Sequence, residues 1–300
     1  MVSPSARKAA AKYLRDEEMC SERRACLLMG VSRSAIRYQP QTVEDSRLRE
    51  EILSLSNQHK RYGYRRVTAL LRREGEQVNH KRVHRIWKQE GLGLRRKPRR
   101  KRRRGRIAVV IQKAERPNQV WSYDFLEDRT ERGGKLRMLA VIDEFTRESL
   151  TIRVGKSMDA QRVIDVLLDL FEERGVPEYI RSDNGPEFVS KAVQEWLYLI
   201  GCQAIYIEPG SPWENSYIES FIGKFRDECL NMELFRNLRE ASIVVESWRK
   251  EYNELRPHSS LGYQTPVEFA QAVSSSRATP SFRLQPEKEK EEEKAVALTL

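Results

Sequence analysis

From Val120 onward, short strand-like runs and longer helical ones follow one another in an order that few folds accommodate. Val120 to Glu127, Leu136 to Glu144 and Leu150 to Val154 have strand patterns, with turn residues such as Gly133-Gly134 between them. Helical periodicity then predicts a helix over 160–173, a strand over 179–182, a helix over 187–200 and a strand over 203–207, followed by long helices over 213–232 and 238–255. Three strands, helix, strand, helix, strand, helix predicts a mixed five-stranded sheet flanked by helices.

That order is the order of an α/β ribonuclease H-like core, and three carboxylates fall at its informative places. Asp124 alternates with Tyr123 and Phe125, so on a strand Ser122 and Asp124 share the opposite face from the aromatics. A carboxylate within an apolar strand is costly unless a cation or a donor meets it. Asp183 directly follows the strand 179–182 and opens Asp-Asn-Gly, a sequence that a plain turn also uses. Glu219 follows Asp183 with 35 residues between them, on a helix whose core stripe is Ile218, Phe221, Phe225 and Cys229. At 100° per residue Asn215, Glu219 and Arg226 share the adjacent stripe. Three such acids suit two Mg²⁺ or Mn²⁺ ions that drive an in-line displacement at phosphorus, with no Ser, Cys or Tyr nucleophile required. A glycosidase also uses paired acids, but it has no use for the charge that precedes them.

That charge is segregated. Residues 1–106 carry 30 Lys/Arg against 11 Asp/Glu, a net +19, whereas the remainder carries −8. Concentrated cations favour phosphate neutralisation with counterion release, which predicts a nucleic-acid-binding front end on a mildly acidic core. Its first segment, 1–42, has a helix-turn-helix pattern at Ser21 to Tyr38: Ala25, Leu28, Val31 and Ile36 point inward, Ser32 caps the second helix, and Arg33 and Arg37 lie outside. A three-helix module follows over 43–94, with Leu48, Ile52 and Leu55, then Val67, Leu70 and Leu71, then Val83, Ile86 and Trp87 inward, and Asn79 capping the last helix. Lys81, Arg82, Arg85 and Lys88 are left on the outside of that final helix, the candidate for a DNA groove; an ordinary helical bundle with solvated charges has the same pattern. Residues 95–106 hold ten cations in twelve positions, among them Lys97, Arg99, Arg100, Lys101, Arg102, Arg103 and Arg104, and predict an extended linker (95–116) that lies along phosphates. The core then spans 117–273, with a capped helix starting at Thr265-Pro-Val-Glu268, and a charged, unfolded tail occupies 274–300.

Other classes are excluded. No stretch is apolar over the roughly 18 residues a membrane helix needs, and charges interrupt the start where a signal peptide needs an apolar block, so a cytosolic protein is expected. Cys20, Cys26, Cys202 and Cys229 are scattered, which indicates neither a disulfide framework nor a thiolate zinc site. His80 and His84 have a ligand-like spacing but no Cys pair follows them, and they are expected on a helix surface.

Seven stretches together resemble one family. Arg61-Tyr-Gly-Tyr-Arg-Arg-Val, Val78-Asn-His-Lys-Arg-Val-His-Arg-Ile-Trp, Pro117-Asn-Gln-Val-Trp-Ser-Tyr-Asp-Phe, Val141-Ile-Asp-Glu-Phe-Thr-Arg, Ser182-Asp-Asn-Gly-Pro-Glu-Phe, Ser211-Pro-Trp-Glu-Asn-Ser-Tyr-Ile-Glu-Ser-Phe and Arg256-Pro-His-Ser-Ser-Leu-Gly-Tyr run through most of residues 20–270. The chain resembles transposases of the insertion-sequence-three family, second-reading-frame products of the DDE superfamily with a retroviral-integrase-type core. The resemblance implies that Asp124, Asp183 and Glu219 are the metal-binding triad and that Arg226, seven residues after the glutamate, contacts DNA, with Asn215 beside it. From the front end Arg33, Arg37, Arg61, Arg65, Arg66, Lys81, Arg82 and Arg85 are expected to join the linker cations on DNA. The resemblance also implies cleavage and strand transfer at the ends of a bacterial insertion sequence, a homo-oligomer that pairs two ends, and an upstream-frame partner or fusion carrying a leucine zipper that this chain lacks. A DNA-binding regulator with a silent core and a nuclease that cuts without joining are the alternatives.

Overall fold

The computed structural model describes residues 3–17, 20–38, 45–93, 113–183, 185, 190–207 and 215–278, which fall into two compact units, Met1–Glu51 and Ile52–Leu300. The basic run 95–106, most of the turn after Asp183 and the segment 208–214 lie outside the described residues.

In the first unit α1 (Pro4–Asp16), α2 (Glu22–Met29) and α3 (Arg33–Arg37) enclose Ala11, Cys26 and Ile36. Gly30 turns the chain at φ 62°, a left-handed conformation that glycine adopts without penalty, and the Ser32 hydroxyl accepts from the Ala35 N–H at 3.1 Å as the cap predicted for the second helix. One inward position differs from expectation: Leu28 is 59% exposed and Cys26 is buried instead. With Ala25 packed against α1, helical stepping brings Cys26 inward and carries Leu28 to the outside.

The second unit begins within α4 (Ser46–Gln58) and continues through α5 (Tyr64–Arg73) and α6 (His80–Gln89). The predicted apolar faces are buried, except that Leu70 is only partly covered, and Asn79 caps α6 by accepting from the Lys81 N–H at 2.9 Å. α5 and α6 fall in the same compact unit as the sheet. Arg73 of α5 donates to the carbonyls of Leu255 (3.1 Å) and Tyr263 (3.0 Å) and pairs with Glu268 at 2.6 Å.

The sheet has the order β3-β2-β1-β4-β5. β1 (Val120–Arg129), β2 (Lys135–Asp143) and β3 (Ser149–Gly155) pair antiparallel, whereas β4 (Tyr179–Ser182) lies parallel to β1 and β5 (Gln203–Tyr206) parallel to β4. The parallel pairings require crossovers, which α7 (Ala160–Arg174) and α8 (Lys191–Leu199) supply. These two helices cover one face over Trp121, Tyr123, Leu139 and Val141; α9 (Ser216–Phe225) and α10 (Leu238–Glu254) cover the other over Leu126, Met138, Ala140 and Ile142. This is the ribonuclease H-like α/β fold expected from the element order.

The long helix expected over 213–232 is interrupted. α9 ends at Phe225 and a π-turn spans Arg226–Leu230, in which the Asn231 N–H reaches back five residues to the Arg226 carbonyl at 2.8 Å. The wider turn keeps Cys229 and Leu230 buried while presenting Asp227 to Arg61 and Glu228 to Arg66. α11 (Pro266–Ala278) starts with the predicted reciprocal cap: the Thr265 N–H donates to Glu268 (2.7 Å) and the Glu268 N–H to the Thr265 hydroxyl (3.1 Å). It continues past Ser274, where the tail was expected to begin, and the Ser274 hydroxyl donates to the Ala270 carbonyl at 2.9 Å. Among the described residues no helix is long and apolar enough to cross a membrane.

Candidate active site

Period-two alternation sends Trp121 and Tyr123 toward α7 and α8, so Ser122 and Asp124 face α9. In the parallel register Ser122 lies opposite Arg181; Asp183 directly follows β4, close enough for its charge to act on Asp124. Glu219 enters from the first turn of α9, and Arg226 opens the π-turn two helical turns later. Each strand-borne carboxylate is oriented by the backbone beside it: Asp124 accepts from the Phe125 N–H at 2.7 Å and Asp183 from the Gly185 N–H at 2.9 Å.

Burial, then the neighbouring Asp183 and Glu219 charges, push the Asp124 carboxyl up to about 7, against the opposing effects of the Phe125 N–H and of Arg226. Three anions repelling one another around a half-buried acid form a site that a divalent cation relieves. Asn215, only 2% exposed, adds a buried side-chain oxygen that meets no donor among the described residues, so it is closed in and does not lie open to DNA. The donor set therefore suits a hard, oxygen-seeking ion. Among the described residues no three His, Cys, Asp or Glu side chains are drawn together tightly enough to grip one ion.

Beneath the acids lies a buried pair that the sequence patterns did not single out. Arg181, 2% exposed, donates to both oxygens of Glu144 at 2.9 and 3.1 Å, and the Ser122 hydroxyl donates to the same carboxylate. Because residues two apart on a strand share a face, Ser122 and Arg181 form the floor on which Asp124 and Asp183 stand.

A second buried cluster holds the far end of the α9 segment. Arg256 grips Glu228 with two bonds of 2.6 Å, Arg66 adds a third at 3.1 Å, and Arg256 also faces the Nε2 of His258 at 3.4 Å. Burial, then Arg256, Lys224 and Arg66, hold His258 neutral down to about pH 2. The unfolded chain takes up this proton below about 6.5 and the folded chain does not, so stability falls on acidification. Between pH 7.5 and 5.5 the stability difference between the wild type and His258→Asn is expected to shrink by roughly 1.4 kcal/mol, as measured by urea unfolding. A difference that stays constant over this range rules out the neutral histidine.

The cations expected on DNA divide by environment. Arg33, Arg37, Arg65, Lys81 and Arg85 are exposed and Arg82 is half-buried, although Arg37 also pairs with Glu22 at 2.9 Å. Arg61 and Arg66 are turned inward onto Asp227 and Glu228, where they tie α5 and the loop before it to the π-turn. Arg226 is exposed. Lys97, Arg99, Arg100, Lys101, Arg102, Arg103 and Arg104 lie outside the described residues.

Comparison with known proteins identifies the family. Integrase core domain families match residues 114–212 and 200–266, and an HTH-like domain family matches residues 44–102. A protein of insertion element IS407 from Burkholderia multivorans is 40% identical over 274 residues, covering 89% of this chain and 97% of its own length. The transposase InsD of insertion element IS2D from Escherichia coli is 32% identical, covering 69% of this chain and 73% of its own, and the putative transposase InsK of element IS150 from the same species is 32% identical, covering 70% and 77%. With this extent of similarity laid over a ribonuclease H-like sheet and its converging acids, the chain belongs to the insertion-sequence-three family of DDE transposases, enzymes that move an insertion sequence.

Proposed function

We propose that Asp124, Asp183 and Glu219 are the metal-binding catalytic triad of this transposase and hold two Mg²⁺ or Mn²⁺ ions for strand cleavage and for attack of a DNA 3′-hydroxyl on a target phosphodiester. Divalent-metal dependence is general to the family. The reading rests on one observation: Asp124, half-buried within β1, feels the charges of Asp183, which directly follows β4, and of Glu219, in the first turn of α9. Held by these three carboxylates, the ions would supply activation of the attacking hydroxyl and stabilisation of the leaving oxygen. The protein supplies position: the Phe125 and Gly185 N–H groups hold two of the carboxylates, and Arg226 offers a cation to a phosphate on the Glu219 side.

Labelled element-end oligonucleotides with Mg²⁺ test this. Strand-transfer products that disappear in Asp183→Asn support it; end binding without cleavage at any metal concentration indicates a regulator, and cutting without joining indicates a nuclease.

In this reading the exposed cations Arg33, Arg37, Arg65, Lys81 and Arg85, with the half-buried Arg82, contact DNA, with α6 as the groove helix, and the 95–106 run follows the phosphates. Deleting 95–106 is expected to weaken binding to every duplex sequence and to flatten the plot of log affinity against log salt by about 0.9 for each phosphate that the run neutralises. An unchanged slope removes the linker from the interface. Synapsis of two ends calls for a homo-oligomer, with an upstream-frame product as partner or fusion, and the work takes place in the bacterial cytoplasm.

A further inference from the structure

On the stripe of α9 next to Glu219, Ser216, Ser220 and Lys224 recur at four-residue spacing and line a cavity of about 270 Å³ together with Arg147, Ser260, the rings of Tyr217, Tyr252 and His258, and two apolar side chains. Its chemistry is that of an anion site. Arg147, held at φ 66° in the tight turn between β2 and β3, lays its guanidinium on the Tyr217 ring at 3.8 Å. A non-glycine residue in that region is strained. One terminal nitrogen of the Arg147 guanidinium is buried and has no hydrogen-bond partner among the described residues, leaving a charged donor unmet.

Lys224 stands opposite, half-buried, its ammonium donating to the Ser220 hydroxyl at 3.2 Å. Burial, then the cations Arg256, Arg66 and Arg147 set against Glu228, lower it to about 8. The nearby acids are already engaged: Glu228 by Arg256 and Arg66, Glu144 by Arg181, and Asp143 by the N–H groups of Asn118, Phe145 and Thr146. Two cations and three hydroxyls therefore face a space that no carboxylate lines among the described residues.

We propose that this cavity binds one backbone phosphate of the DNA, held jointly by Arg147 and Lys224, next to the phosphate that the acids process. Arg147 supplies its unmet N–H, Lys224 a point charge, and Ser216 and Ser220 neutral donors to the remaining oxygens. Because Ser220 follows Glu219 directly, a strand gripped here has its neighbouring phosphate delivered to the carboxylates. The assignment rests on the reading of Asp124, Asp183 and Glu219 as the reaction centre, but its test does not.

Binding of the full chain to a fluorescent duplex is measured in EDTA across a potassium chloride series, so that no chemistry is required. Lys224→Gln and Arg147→Gln are each expected to weaken binding roughly three- to tenfold and to lower the salt slope by up to about 0.9, the contribution of one phosphate. The double variant is expected to lose no more slope than that, since both residues hold the same group. Wild-type slopes in both single variants overturn the proposal, as does a double variant that loses twice as much. Ser220→Glu, a surface change that places a carboxylate beside Lys224, is expected to reproduce the Lys224→Gln defect with an unfolding temperature close to wild type, and it covers the case in which Arg147→Gln does not fold. Inorganic phosphate separates the sources: saturable thermal stabilisation that Lys224→Gln abolishes, without any change in duplex slope, identifies free phosphate as the ligand and overturns the DNA assignment. Asp183→Asn keeps the wild-type slope in this assay, so failure of the catalytic assignment and failure of the phosphate subsite give different results.

Discussion

Asp124→Asn is expected to abolish strand transfer, by roughly 10³-fold or more, while making the metal-free protein harder to unfold. The two effects have one origin. Burial and the charges of Asp183 and Glu219 raise the Asp124 carboxyl from its ordinary 3.8 to about 7, so the folded state holds a proton that the unfolded state releases. The contribution of Asp124 to stability is therefore greatest below pH 4, falls as pH rises toward 7, and is flat above it, opposite in sign to that of His258. At pH 8 the ionised side chain costs the fold roughly 2–4 kcal/mol, which asparagine does not incur. Urea unfolding in EDTA at pH 8 and pH 4.5 measures this: the variant is expected to be the more stable at pH 8 and nearly equal to wild type at pH 4.5. Added Mg²⁺ is expected to stabilise the wild type and to leave the variant almost unchanged. A variant that is less stable at pH 8, or that still joins DNA ends, rules out the account.

The positions of the three acids were legible in the sequence because local geometry sets them. Alternation about Tyr123 fixed the face on which Asp124 lies, the end of a short strand located Asp183, and the apolar stripe through Ile218, Phe221 and Phe225 oriented Glu219. The order of elements was equally visible, since each crossover shows its own periodicity. Pairings between distant residues were not. Arg61 and Arg66 look like DNA-binding side chains in a basic stretch, yet their partners Asp227 and Glu228 lie 166 and 162 residues away, and no periodicity links such positions. The π-turn at Arg226 was hidden for the same reason: its local sequence suits an ordinary helix, and the demand for a wider turn arises from cations brought in by other elements. Arg181 gave a faint signal, since it shares the alternation of Asp183, but nothing near it in sequence indicated a buried Glu144.

That buried pair carries the largest expected effect on stability. Arg181→Met leaves Glu144, among the described residues, with the Ser122 hydroxyl as hydrogen-bond donor and the more distant charge of Arg147, inside a region where both side chains of the original pair are at most 2% exposed. Stranding a buried charge costs roughly 3–5 kcal/mol, a large share of what holds a domain together. Burial already raises the Glu144 carboxyl, and Arg181 is the principal group opposing that shift, so without the arginine the carboxyl rises further. The variant therefore recovers part of its deficit on acidification, as Glu144 takes up the proton that lets it remain buried. Arg181→Met combined with Glu144→Met is expected to regain most of the missing stability, because apolar side chains of similar volume need no partner. Catalysis separates the two roles of the pair. Ser122 and Arg181 stand two residues before Asp124 and Asp183 on paired strands, so the double variant is expected to fold well and yet to join DNA ends more slowly, its carboxylates set on a softer floor. Equal stability in Arg181→Met and wild type shows that water reaches Glu144; full activity in the double variant shows that the pair serves the fold alone.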